Sequence, residues 1–374
     1  MSAPLVSIII PTLNEAENIP LLVPRIDAAM RDTALAFEIL IVDDNSRDAT
    51  PAVCEALAKK FPLRLIVRTA PQNGLSGAVL HGFTEAKGDV LVVMDADLQH
   101  PPEKLPELVA PLLDGSADFV VGSRHVSGAG TDENWGLFRR INSGVATLLA
   151  RPFAGRVTDP MSGFFAIKRQ TLGRGKRLTP LGYKIGLELM CKCRVERVVE
   201  IPIRFGLRAA GQSKLSIKQQ FKYLEHLSRL YDYCYPRLSP VAKFLISTGV
   251  AWFIGLGMML IALGAGVDLS IAPVLSYPAA VLATAVFHLR YVRTQREFLM
   301  SQSPWRDFLV IALTEWIVCA LAGLWLVFRA PGVSVAEVFL FSFGLATLTR
   351  YVLRKEMLQD IRGLRREPRR DELS

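Results

Sequence analysis

The stretch VVMDADLQHPPE, residues 92–103, sets two carboxylates and an amide directly behind an apolar run and closes on a proline pair. A short β-branched run of this kind reads as a strand buried on both faces. Pro101 and Pro102 carry no backbone donor, so a strand ladder has to stop before them. If strand geometry persists to Asp97, a spacing of two places Asp95 and Asp97 on one face. One stretch thus predicts a strand end and a pair of carboxylates presented just beyond it.

Similar runs occur at residues 5–10, 37–42, 64–67 and 119–121, and helical patterns at 17–31, 49–60, 76–86 and 103–113 fall between them. Alternation of this type predicts an α/β fold with a doubly wound, mostly parallel sheet, whose ligands bind beyond the carboxyl ends of the strands. Polar clusters stand at three such ends: PTLNE at 11–15, DDNS at 43–46 and DADLQ at 95–99. Ser46 and Asp48 suit N-caps of the second helix, but capping does not account for three convergent clusters. No GxGxxG follows the first strand, which excludes a dinucleotide fingerprint.

Two neighbouring carboxylates repel unless a positive charge lies beside them. Asp and Gln oxygens are hard ligands suited to Mg²⁺ or Mn²⁺, ions that keep positions for waters and substrate phosphates. The expected arrangement has Asp97 and Gln99 holding the cation that neutralises a nucleotide diphosphate, while Asp95 contacts the donor or the metal.

The chain has 374 residues, 51% of them hydrophobic, and the excess is concentrated between residues 241 and 353. Apolar runs there approach the ~20 residues that a spanning helix requires. The sequence predicts a catalytic domain over 1–215, an amphipathic interface helix over 216–238, a four-helix transmembrane domain over 239–355 and a basic cytosolic tail over 356–374. The four spans are placed at 241–263, 270–289, 308–328 and 334–353. Arg290, Arg293, Arg296 and Arg306 crowd one connection, and Arg350, Arg354, Lys355, Arg362, Arg365, Arg366, Arg369 and Arg370 crowd the end of the chain. Positive-inside bias then puts the catalytic domain and the C-terminus in the cytosol of a multi-pass protein.

MSAPLVSIIIP lacks a basic n-region, so no cleaved signal is expected. Cys54, Cys191, Cys193, Cys234 and Cys319 are odd in number and without CxxC spacing, and Cys191 and Cys193 read as core thiols. A formal charge of +9 suits anionic lipid and nucleotide partners. The basic runs adjoin the spans, so nucleic acid is not an expected partner.

The motifs at 8–15, 41–50 and 95–103, followed by GSR at 122–124, TDPMSGFFAIKR at 158–169, GYKIGLELM at 182–190 and RAAGQSKLS at 208–216, resemble family 2 glycosyltransferases of the GT-A fold. Within that family they are similar to the dolichol-phosphate mannose synthases. The resemblance implies a donor pocket made of Pro11, Leu13, Glu15, Val42, Asp44, Asp95, Ala96, Asp97, Gln99, Lys184, Glu188, Arg208 and Lys214, with Leu13 in place of a frequent aromatic residue. It implies Asp95, Asp97 and Arg124 as catalytic groups, and Arg124, Arg139, Arg140 and Ser143 as the cradle of a lipid phosphate. The five histidines, His100 and His125 among them, receive no role.

The implied reaction is inverting transfer of mannose from GDP-mannose to a polyprenyl (dolichyl-type) phosphate at the cytosolic face, with Mg²⁺ or Mn²⁺. A UDP-sugar-dependent polyprenyl-phosphate glucosyl- or aminosugar transferase is the neighbouring alternative. From another class, the alternative is an inactive transferase-like scaffold of a lipid-linked sugar flippase. FHLRYVRTQREF and LATLTRYVLRK also resemble a small four-helix domain shared with proteins proposed to move lipid-linked sugars.

Overall fold

The computed structural model describes residues 4–33, 35–131, 137–175, 178–179, 184–206, 217–287 and 304–363. The chain divides into two compact units, Met1–Cys234 and Tyr235–Ser374.

The first unit opens with β1 (Leu5–Thr12), α1 (Ile19–Arg31), β2 (Ala36–Asp43), α2 (Thr50–Leu57), β3 (Leu63–Val67), α3 (Gly74–Glu85), β4 (Val90–Val93), α4 (Leu105–Leu113) and β5 (Phe119–Ser123). It continues through β6 (Gly130–Thr131), α5 (Leu137–Ala154), β7 (Phe165–Lys168), α6 (Arg169–Leu172), α7 (Ile185–Lys192), β8 (Val198–Pro202), β9 (Arg204–Phe205) and α8 (Ile217–Cys234). The seven-stranded sheet has the order β3-β2-β1-β4-β7-β5-β8, and β6 pairs with β9 apart from it. β7 is antiparallel to both β4 and β5, whereas the other neighbours in the large sheet are parallel.

Strand periodicity sorts β1 onto both faces of this sheet. Ile8 and Ile10 pack with Ile19, Leu22, Ile26 and Met30 of α1, while Ile9 packs on the opposite face with Val79 and Phe83 of α3. All of these except Phe83, 4% exposed, have no exposure. At roughly 1.5–3 kcal/mol for each fully buried large aliphatic side chain, the two layers supply the main force holding the sheet. The predicted doubly wound α/β fold is the observed one. β5 is separated from β4 by β7, because residues 165–168 return to fill that place.

Helix α8 belongs to this unit. Tyr223, Leu227 and Leu230 are buried beside residues of α5 and α7, the Tyr223 hydroxyl donates to Ala146 O at 2.8 Å, and Phe221 and Leu224 are exposed on the other side. The first predicted boundary, at 215, therefore falls before a helix that packs with the sheet domain. The Cys191 and Cys234 side chains lie side by side where α7 meets α8. Cys193 is a buried free thiol, and burial pushes it up to about 11. α2 starts after Ala49, and of the two predicted caps Asp48 serves the helix N-terminus, its Oδ1 accepting the Thr50 amide at 3.0 Å, while Ser46 binds elsewhere, as described below.

The second unit contains α9 (Leu238–Gly264), α10 (Ala272–Phe287), α11 (Pro304–Arg329) and α12 (Val335–Gly363). Among the described residues three segments are long and apolar enough to cross a membrane: Leu238–Gly264, Phe308–Arg329 and Val335–Leu353. Of the predicted second span, the described apolar part covers Ala272–Ala285. The outward faces are apolar, with Phe253 81%, Leu282 71% and Phe328 80% exposed, as suits a surface bathed in lipid.

Inside this bundle Arg350 Nε and Nη2 donate to the two carboxylate oxygens of Glu315 at 2.7 and 2.6 Å, and the Tyr277 hydroxyl donates to Glu315 Oε2 at 3.0 Å. All three residues are buried. Arg350 was counted among the basic residues that orient the chain, but its charge is neutralised within the bundle. The predicted tail 356–374 lies outside the described residues beyond 363, as does the connection 288–303.

Candidate active site

β1 runs between β2 and β4, so their three carboxyl ends leave the same edge of the sheet side by side. Thr12 Oγ1 donates to Asp43 Oδ1 at 3.0 Å, and the Ser46 amide donates to Asp43 Oδ2 at 2.8 Å. The Ser46 hydroxyl accepts from the Asn14 amide at 2.7 Å, Asp48 Oδ2 from the Ala16 amide at 3.2 Å and Thr50 Oγ1 from the Glu15 amide at 2.9 Å. These short polar side chains staple the first two strand-end loops together.

Pro11 and Val42 are buried at the strand ends, Leu13 is 39% exposed, and Glu15 accepts from Asn18 Nδ2 at 2.7 Å. Asp44 meets Arg68, whose Nη1 lies 2.9 Å from Asp44 Oδ1; the contact is between charges and lacks hydrogen-bond geometry. Burial pushes the Asp44 carboxyl up, Arg68 opposes this, and Asp43 adds to the rise. Arg68 also donates to Gln72 O at 2.6 Å, and a Cβ on Gly77 would lie 2.0 Å from that same carbonyl. In the sequence nothing near 64–77 distinguishes Arg68 from a surface charge.

Beyond β4 the Met94 amide still reaches Ile9 O at 3.2 Å, and then the chain turns. Asp97 Oδ1 accepts from the Gln99 amide at 3.2 Å, and Leu98 adopts φ 64°. Gln99 and Gly206 bind reciprocally, Gly206 N to Gln99 O at 3.1 Å and Gln99 Nε2 to Gly206 O at 3.2 Å. Ala96, Asp97 and Gln99 are buried, and the Asp95 side chain is 35% exposed. His100 Nδ1 accepts from the Asp95 amide at 3.0 Å. Burial pushes this imidazole down to about 4, so it is neutral at neutral pH and carries its proton on Nε2.

Arg124 follows β5 and is held by Asp159, its Nε and Nη2 each donating at 2.7 Å and its amide at 3.0 Å. Burial alone would raise the Asp159 carboxyl, but Arg124 holds it below the usual carboxylate range. Glu200 in turn accepts from the Thr158 hydroxyl at 2.7 Å and the Asp159 amide at 3.1 Å. Asp159 lies within TDPMSGF, yet a single carboxylate in a motif gives no sign of its partner. The Arg124 guanidinium also stands 5.3 Å from the Phe205 ring.

Lys184 Nζ donates to Met161 O at 2.5 Å. Burial pushes this ammonium down to about 8, with Arg124 acting the same way and Asp159 and Asp95 against it, which puts all four groups in one neighbourhood. Glu188, fully buried, accepts from Lys192 at 2.6 Å and the Thr179 amide at 2.8 Å, and bonds His226 Nε2 at 3.1 Å. Its i,i+4 partner is Lys192, and the carboxylate ties α7 to α8. Arg139, Arg140 and Ser143 fall on α5, and their side chains, with Arg208 and Lys214, lie outside the described residues.

Among the described residues no three His, Cys, Asp or Glu side chains are grouped to enclose a metal ion. The candidate donors are two carboxylates and an amide on one closed loop, a set of hard oxygens that fits Mg²⁺ or Mn²⁺ sharing its remaining positions with a diphosphate.

A doubly wound sheet with these loops at its carboxyl edge has the architecture of a GT-A glycosyltransferase domain, here followed by apolar helices that fit a membrane domain. The chain belongs to glycosyl transferase family 2, whose sequence pattern matches residues 7–174, and it is an enzyme of that family. It is 43% identical over 265 residues to a dolichol-phosphate mannosyltransferase of Pyrococcus furiosus, covering 68% of this chain and 73% of the relative. Against the dolichol-phosphate mannosyltransferase of Saccharomyces cerevisiae it is 43% identical over 234 residues, 60% of this chain and 86% of the relative. An undecaprenyl-phosphate mannosyltransferase of Micrococcus luteus is 36% identical over 217 residues, 56% of this chain and 86% of the relative.

Proposed function

We propose that this enzyme transfers mannose, with inversion, from GDP-mannose to a polyprenyl phosphate at the cytosolic face of a membrane. One observation carries the sugar: relatives named for two different lipids, dolichol phosphate and undecaprenyl phosphate, are both named mannosyltransferases. The apolar helices of the second unit support a membrane-held acceptor.

A phosphate monoester has a second pKa of about 6 and arrives largely ionised, so the acceptor needs no general base. The work left is to hold an anionic nucleophile beside an anionic donor. Pro11, Leu13, Glu15, Val42 and Asp44 form the base and ribose pocket, and Arg68 fixes the Asp44 carboxylate within it. Asp97 and Gln99, with Asp95, would hold Mg²⁺ or Mn²⁺, which when bound supplies charge neutralisation for the departing diphosphate. Asp159 fixes the plane of the Arg124 guanidinium, so that this cation meets the phosphates already oriented. Lys184 adds positive charge beside Asp95. Glu188 acts on the sugar pocket by seating α7, while Arg208 and Lys214 complete the grip on the diphosphate.

Purified protein offered GDP-mannose, UDP-glucose and UDP-N-acetylglucosamine separately, with polyprenyl phosphate and Mg²⁺ or Mn²⁺, tests the donor. Only GDP-mannose should label the lipid phase strongly, because a pocket built to hydrogen-bond guanine leaves polar groups unpaired with uracil. Efficient labelling from UDP-glucose would overturn the mannose assignment and leave the fold untouched. The acceptor is tested separately. Replacing Arg140 with Ala should raise the KM for lipid phosphate about 10-fold or more, the worth of a charge-assisted hydrogen bond, while donor KM stays near wild type. Equal losses for both substrates would remove Arg140 from the lipid cradle.

A further inference from the structure

We propose that His100 is a positioning residue for the loop 95–99, closing it through Nδ1 so that Asp95, Asp97 and Gln99 converge on one ligand. This rests on the reading of that loop as the holder of a divalent cation and diphosphate.

Where β4 ends, the Asp95 amide no longer has a ladder to join and donates to His100 Nδ1 at 3.0 Å. The bond turns residues 95–100 into a closed ring, with Leu98 at φ 64° inside it, a conformation that a non-glycine residue keeps only when its surroundings hold it. At the far side of the ring the reciprocal bonds of Gln99 and Gly206 complete the closure.

The imidazole has little freedom to be elsewhere. It is 3% exposed, stacked on Phe164 with centroids 5.2 Å apart and planes 13° apart, and edge-on to Phe205 at 5.6 Å. Phe164 belongs to a segment seated against both members of the bond. A Cβ on Gly163 would lie 3.2 Å from Asp95 Oδ2 and 3.3 Å from His100 Cε1, so Gly163 lets this segment close over the pair. The Ser162 hydroxyl anchors the segment by donating to Gly122 O at 2.7 Å.

The chemistry of the acceptor matters as well. A carboxylate in this place would also accept the Asp95 amide, but it would add a third negative charge to Asp95 and Asp97. An uncharged ring nitrogen closes the loop without doing so.

The test uses the full-length protein with His100→Leu, His100→Asn and His100→Gln. The amide oxygen of Asn can take the place of Nδ1, whereas that of Gln reaches toward the place of Nε2. Mn²⁺ binding in the presence of GDP is read by electron paramagnetic resonance, and exchange of the Asp95 amide by hydrogen–deuterium exchange without any ligand. His100→Leu and His100→Gln should weaken Mn²⁺ binding and raise donor KM at least 10-fold, with lipid KM unchanged, and should speed Asp95 exchange. His100→Asn should restore all three readouts to within about threefold of wild type.

If Asn and Gln behave alike, or if His100→Leu binds Mn²⁺ like wild type, the positioning role is lost. Should wild type itself bind no Mn²⁺ while the exchange contrast between Asn and Gln persists, the cation reading fails and the closure stands. Gly163→Ala keeps His100 and is the second variant where the others fold poorly. It should lower Mn²⁺ binding in the same direction, and unchanged binding would count against the seat.

Discussion

Asp97→Asn is expected to lose most divalent-dependent sugar transfer while the protein keeps its fold. The asparagine oxygen can still accept the Gln99 amide that Asp97 Oδ1 accepts at 3.2 Å, so the loop retains its closing contact. What the variant lacks is the negative charge, and a neutral amide is a poorer ligand for a hard dication. Loss of several kcal/mol of charge stabilisation corresponds to a rate reduction of at least about 10²-fold. Transfer is measured with saturating donor and lipid in Mg²⁺, Mn²⁺ and chelator, beside a thermal melt. Near-normal rates in all three solutions would remove Asp97 from the metal site. Asp97→Ala is the harsher variant, since it deletes both the charge and the contact with Gln99, and any extra loss beyond Asn reports on loop geometry.

The second large effect belongs to the membrane bundle. Arg350→Met leaves the Glu315 carboxylate buried with Tyr277 as its remaining described partner, and stranding one member of a buried pair costs about 3–5 kcal/mol. The double change, Glu315→Leu with Arg350→Met, removes both charges and fills similar volume. It should recover most of that loss, with about 1 kcal/mol remaining for the unpaired Tyr277 hydroxyl. Thermal unfolding of wild type, the two single variants and the double variant in one detergent completes the cycle. Additive losses would show that the two charges do not act as a pair, and that the bundle treats them as separate.

Much of the catalytic domain is legible in the sequence. Residues 5–10, 37–42 and 90–93 declare themselves as strands because a strand buried on both faces needs an uninterrupted apolar run, a purely local requirement. Asp95, Asp97 and Gln99 were legible for a related reason: their spacing and the proline pair behind them act within a few residues. The apolar helices were visible because length and composition are local too, although the described part of the second is shorter than a full span.

What the sequence by itself determined is therefore whatever depends on near neighbours: the alternation of strand and helix, the polar strand ends, and the division into a sheet domain and an apolar helical domain. Tertiary structure decided every choice of partner across long separations. β7 enters between β4 and β5 because strand pairing is settled by which edges meet in space. Arg124 is taken up by Asp159 35 residues away, Asp44 meets Arg68, and Glu188 bonds His226. Arg350 looked like one more basic residue at a membrane edge until the bundle set Glu315 against it. His100 carried no signal at all, since an imidazole becomes an acceptor for the Asp95 amide only once Phe164 and Phe205 have closed around it. A side chain's type limits the bonds it can make; the fold alone selects which of them is made, because burial removes water as the competing partner.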